Sequence, residues 1–191
     1  MKTEEQRQQI YDVVLRETMR LSRLVNDMLE LSRLQSGTAS LSRSVFAPLP
    51  LFNLIHETYS AYAEDYQQTF VYDVPEDLPS VWGNPDRTQQ VLIVLLDNAF
   101  KYTPEGGVVT LSACAEGDVV RVRVRDTGVG IPAADLPHVF DRFYKVDKSH
   151  HSKGTGLGLA IAYEIMKHLG EEMSVTSEPG QGSCFTFTLH I

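Results

Sequence analysis

The chain has 191 residues, 42% of them apolar, and carries 25 acidic against 17 basic side chains for a net charge of −8. That length suits one well-cored domain with an appendage, and the acidic balance without any contiguous basic face argues against nucleic acid as a partner. No apolar run reaches the roughly 18 to 20 residues of a membrane span, and the polar start MKTEEQRQQ is unlike a secretory signal, so a soluble, cytoplasmic piece is expected.

From Glu4 to about Gln35, apolar residues Ile10, Val14, Leu21, Leu24, Met28 and Leu31 step by threes and fours or their sums, which predicts a long amphipathic helix stopped at Gly37. Such a helix, with one apolar seam interrupted at Glu17, needs a partner to cover it, as in a coiled coil or bundle. Residues 38–50 are rich in Ser and Pro and read as a linker. A helix follows over about 51–67, then a strand around FVYDV, a PEDLP turn and a short SVWG.

Asn84-Pro85-Asp86 is a strong helix start, with a capping amide, a proline at the first helical position and an acid in the first turn. This helix runs to about Tyr102 and stops in TPEGG. Strand pairs follow on both sides of a glycine-rich helix: VVTLSACA with DVVRVRVRD, then MSVTS with SCFTFTLHI. The order predicts an α+β fold, a two-layer sandwich with helices on one face of a mixed sheet. Cys114 and Cys184 lie in strands without metal-ligand spacing and read as buried thiols.

Chemistry concentrates in three places. On the helix from Asn84, Val91, Leu92, Leu95, Leu96 and Ala99 make a core face, while Asn98, Lys101 and Tyr102 fall together elsewhere. An amide oxygen, an ammonium and an aromatic ring there suit a metal, a phosphate and a base. DTGVGIP, from Asp126 to Pro132, ends a strand in a carboxylate and turns on glycines. A buried acceptor of that kind suits the exocyclic amine of adenine. Finally, GTGLGLAIAYEIMKHLG places Gly154, Gly156 and Gly158 before an apolar-periodic helix, whose free N–H groups and positive dipole end make an anion site. A Rossmann fingerprint fails, because Leu159 stands where glycine is needed, and no Gly-Lys-Ser/Thr triplet supports a Walker loop. Residues 142–153 hold one Arg and three Lys against one Asp, a local basic cluster in an acidic chain.

Four stretches in order, LLDNAFKYT (95–103), DTGVGI (126–131), FDRFYKVD (140–147) and GTGLGLAIA (154–162), together resemble the N, G1, F and G2 boxes of the catalytic and ATP-binding domain of sensor histidine kinases. RETMRLSRLVNDMLELSRLQSG resembles the second helix of that family's dimerisation and phosphotransfer domain. The resemblance divides the chain into that helix (1–37), a linker (38–50) and the catalytic domain (51–191). It implies ATP or ADP with Mg2+ in a shallow cleft beneath a lid at about 145–153, in the fold shared with gyrase, Hsp90 and MutL.

Carried over by position, Asn98 holds Mg2+, Lys101 a phosphate, Tyr102 the adenine face and Asp126 the adenine amine. Gly128 and Gly130, with Ile131 beside them, admit the ring. Gly154, Thr155, Gly156, Leu157, Gly158 and Leu159 meet the phosphates, and Lys145 reaches the terminal one. Phe140 and Phe143 are the apolar anchors of the lid. Val94 stands where many members have a second Asn, removing one oxygen near the ion. The acceptor histidine lies on a helix preceding the second bundle helix, and none of His56, His138, His150, His151, His168 and His190 fits that role. The resemblance therefore implies the ATP-handling part of a larger, homodimeric kinase. Its partners are the preceding phosphotransfer helix and a response-regulator receiver domain, and whether that parent is membrane-anchored stays open. Three alternatives share parts of this pattern: an anti-sigma-type serine kinase, a gyrase-like or Hsp90-like ATPase, and a nucleotide-binding interaction module.

Overall fold

The computed structural model describes residues 4–38, 41–146 and 154–191. In chain order these form α1 (Glu4–Gln35), β1 (Ser44–Phe46), α2 (Pro48–Asp65), β2 (Thr69–Asp73), β3 (Val81–Gly83), α3 (Pro85–Tyr102), β4 (Val108–Glu116), β5 (Val119–Asp126), a 3-10 turn (Leu136–His138), α4 (Gly158–His168), β6 (Met173–Glu178) and β7 (Gly182–His190).

Five strands make one sheet in the order β2-β4-β5-β7-β6, with β2 and β4 parallel and the other neighbours antiparallel. Alternation along β4 and β5 sends Val109, Leu111, Ala113, Val120, Val122 and Val124 inward. They meet Phe185, Phe187 and Leu189 of β7 and the apolar faces of α2, α3 and α4 in one core. This is the expected two-layer α+β sandwich. Its outer face carries Arg121 and Arg123, which clasp Glu116 at 2.6 and 2.7 Å and hold its carboxyl down to about 2.

Asn84 caps α3 as its sequence predicts: the side-chain oxygen accepts from the Arg87 N–H at 2.9 Å. Its amide also donates to the Ser42 carbonyl at 2.7 Å, tying the preceding segment to this helix start.

Two expectations need correction. Regular structure reaches into the segment read as a linker at 38–50: β1 pairs antiparallel with β3, and α2 starts at Pro48 rather than Leu51. Pro48 and Pro50, read as linker residues, occupy the first helical turn, where a missing N–H costs nothing. Cys114 and Cys184 are free thiols but only partly buried, since they sit on outward positions of their strands.

The long helix α1 divides along its length. Ile10, Val14, Leu21 and Met28 are exposed, whereas Leu31 and Leu34 are buried in the common core and Leu24 packs against it. Polar bonds fix the same end: Glu30 takes Arg87 and the Gln90 amide (3.0 Å), and Gln35 bonds Glu164 (3.2 Å) and Arg142. The last turns of α1 are thus part of the body that follows.

Candidate nucleotide site

The site opens where the C-terminal half of α3, the turn after β5 and the segment before α4 converge. Asn98, Lys101 and Tyr102 enter from α3; Asp126, Gly130 and Ile131 from the turn; Lys145 from the approach to α4; and Gly154, Thr155, Gly156, Gly158 and Leu159 from the glycine turn. All line one cavity of about 520 Å3. A smaller hollow of about 380 Å3, around Lys167, Glu171 and Thr188, shares none of them.

Asp126 is 5% exposed at the end of β5. Its Oδ1 accepts from the Gly128 N–H at 2.8 Å and the Ser183 N–H at 3.2 Å, so Oδ2 is the acceptor left for a ligand. Burial raises its pKa, and the two backbone bonds act in the opposite sense. Around it Val129, Ile131, Val139, Leu159 and Phe185 supply apolar lining. An apolar slot with one buried acceptor suits a flat, amine-bearing base.

The glycines of this turn serve the backbone first. A Cβ on Gly128 would lie 2.4 Å from the Tyr102 carbonyl oxygen, and one on Gly130 2.0 Å from that of Glu178. The turn therefore presses directly on the end of α3 and the end of β6, and the Val129 N–H donates to the same Tyr102 carbonyl at 3.2 Å.

At the other end Lys101 Nζ reaches across to the glycine turn, 3.5 Å from where a Cβ of Gly154 would stand, and donates to the Tyr102 hydroxyl at 2.9 Å. Gly156 has φ +75, and a Cβ there would collide with the Phe143 backbone at 2.9 Å, so glycine is required. Its carbonyl accepts the Phe143 N–H at 2.9 Å. Leu157 is fully buried just before α4 and belongs to the core instead of the cavity wall.

Phe140 packs against Tyr163 (ring centroids 4.9 Å apart) and edge-on to Phe185. Phe143 is 54% exposed with φ +60, so its backbone rather than its ring secures the segment. Most of the lid expected at 145–153 lies outside the described residues, which resume at Gly154.

Sequence reasoning missed Asp97, Tyr144 and Ser183, which also line the cavity. Asp97 Oδ1 accepts from the buried Tyr59 hydroxyl at 2.7 Å, and burial first, then this bond, pushes the Tyr59 pKa upward. Tyr144 is held by Asp135. Asp97 was adjacent to Asn98 in sequence, but nothing local marked Tyr59 as its partner 38 residues away.

Among the described residues no group of three acidic, His or Cys side chains is placed to cage a metal. Asn98 lines the cavity with its neighbour Asp97, a sparse oxygen set that fits a hard cation arriving largely coordinated by phosphates and water. Val94, one turn before Asn98, faces the glycine turn, its Cγ1 3.4 Å from where a Cβ of Gly158 would stand.

The two-layer sandwich with this cavity at the end of α3 defines a class, and the match of residues 83–191 to the histidine kinase-, DNA gyrase B-, and HSP90-like ATPase family establishes it. The chain belongs to that family. Within it, the chain is 39% identical over 181 residues to the sensor histidine kinase WalK of Bacillus subtilis, covering 93% of this chain and 30% of the relative. It is 37% identical over 188 residues to the adaptive-response sensory kinase SasA of Thermosynechococcus vestitus, covering 96% and 49%. The crystal structure of full-length ShkA in complex with AMPPNP superposes with a TM-score of 0.83 at 33% identity, over 99% of this chain and 39% of that one. The chain thus spans less than half the length of these relatives.

Proposed function

We propose that this chain binds ATP with Mg2+ and delivers the γ-phosphoryl group to a histidine on a separate helical bundle, for relay to a response-regulator receiver domain. The observation that carries this reading is the convergence of Asn98, Lys101, Tyr102, Asp126, Lys145 and the glycine turn on one cavity. Asp126 Oδ2 accepts the adenine amine, with Tyr102 beside the ring. Lys101, Lys145 and the N–H groups opening α4 neutralise the phosphates. Asn98 would hold Mg2+, which would supply further charge neutralisation at the phosphates. The protein's part is positioning and electrostatics: the bond from the γ-phosphorus to its bridging oxygen breaks as one to the unprotonated nitrogen of a neutral imidazole forms, and the ring then sheds the proton on its other nitrogen.

The likeness to sensor kinases supports this reading, in which α1 serves as the helix that joins the bundle. Its exposed seam of Ile10, Val14, Leu21 and Met28 is read as bundle surface, covered by the preceding helix and a second copy in a homodimer.

The test is incubation with γ-labelled ATP and a separately supplied bundle domain bearing an acceptor histidine. Acid-labile, base-stable label is expected on the bundle domain and not on this chain. Label retained on this chain, or sustained multiple-turnover release of phosphate without an acceptor, would replace the reading with another.

A further inference from the structure

Two carboxylates one turn apart on α1 face the body of the protein and meet different fates. Glu30 is matched by the Arg87 guanidinium and the Gln90 amide. Asp27 has no cation within salt-bridge distance among the described residues, and its Oδ2 accepts the hydroxyl proton of Thr155 at 3.1 Å. Thr155 belongs to the glycine turn: it lines the cavity between Gly154 and Gly156, and its Oγ1 accepts the Leu157 N–H at 3.3 Å. A negative charge with no ion-pair partner among the described residues therefore rests directly behind Thr155 of the cavity wall, and it stands there only because the last turns of α1 are docked through Leu31, Leu34, Glu30 and Gln35.

We propose that Asp27 sets the nucleotide affinity of this cavity from outside it, its charge opposing a polyphosphate at the glycine turn so that α1 docking and nucleotide occupancy disfavour each other. The inference rests on the nucleotide reading above. The coupling is reciprocal by thermodynamic necessity: whatever factor the docked helix takes from ATP affinity, bound ATP takes from docking. Asp27 touches no substrate in this scheme; it acts through Thr155 and through its field.

Asp27→Asn isolates the charge, because the amide oxygen still accepts from Thr155 while the formal charge is gone. Calorimetric titration of the whole chain, wild type and variant, with ATP plus MgCl2 and separately with adenosine, reads the effect. At low ionic strength ATP is expected to bind the variant about fivefold more tightly, in the range for one charge acting across a partly solvated gap. The gain should shrink in high salt, and adenosine affinity should stay unchanged. ATP affinity equal to or weaker than wild type overturns the inference and leaves the nucleotide reading intact. Equal tightening of adenosine assigns the change to general loosening of α1 and also overturns it. No binding of ATP by either protein overturns the nucleotide reading, and this inference with it.

Discussion

Asp126 shows how a single side chain can hold a turn and still offer an acceptor to a cavity. One oxygen accepts from the Gly128 N–H of its own turn and from the Ser183 N–H of β7, which leaves the other as the free acceptor of a residue that lines the cavity. Asparagine can reproduce the first role, because its carbonyl accepts both bonds, but it presents an NH2 where the adenine amine needs an acceptor. Asp126→Asn is therefore expected to fold and to bind ATP about 10- to 100-fold more weakly by calorimetry, the range for losing a charge-assisted hydrogen bond. Stability should move the other way. Because the folded-state pKa is raised by burial, the wild type loses stability as pH rises from the unfolded value through the folded one. The variant carries no such penalty, so its melting temperature should match or exceed wild type at pH 7, with the advantage fading toward pH 4.

At the scale of elements, α3 is the member on which most of the site hangs. One face buries Val91, Leu92, Leu95, Leu96 and Ala99, another brings Asn98, Lys101 and Tyr102 to the cavity, and its end receives the Val129 N–H. Its start is held by Asn84, which caps the helix and also clips Ser42. Asn84→Ala removes both contacts and should lower stability by about 1 kcal/mol, seen as a fall of roughly 2–4 °C in melting temperature. Nucleotide affinity should change little, since the cavity-lining residues sit about four to five turns further on. α1 behaves as two pieces: its last turns share the core through Leu31 and Leu34, while the preceding turns present an unburied apolar seam.

For the molecule as a whole, that seam predicts self-association. Sedimentation velocity at micromolar concentration is expected to show a concentration-dependent dimer for wild type and a monomer for Leu21→Asp. Leu21 is the appropriate position because it is exposed, whereas Leu24, one turn nearer the body, packs against the core, where a charge would disturb folding as well as association. A monomer in both cases would remove the dimer from the reading. No helix among the described residues is long and apolar enough to cross a membrane.

Much of this was legible from residues alone, and for local reasons. Period-3.6 and period-2 patterns, the Asn-Pro-Asp start and the glycine-bearing turns are short-range signals, so α3, the β4–β5 hairpin, α4 and the layered fold could be read off directly. The candidate ligand residues were legible because each came inside a compact motif. Where the sequence misled, a residue type had two meanings: Pro48 and Pro50 open a helix as well as they fill a linker, and Phe143, read with Phe140 as an apolar anchor, is exposed. Only the tertiary structure could decide which separate motifs share one hollow, that Tyr59 holds Asp97, and that Asp27 reaches Thr155 across 128 residues of chain. Periodicity tells each element which face to bury; contacts between elements depend on how those faces are docked together, and no local pattern encodes that.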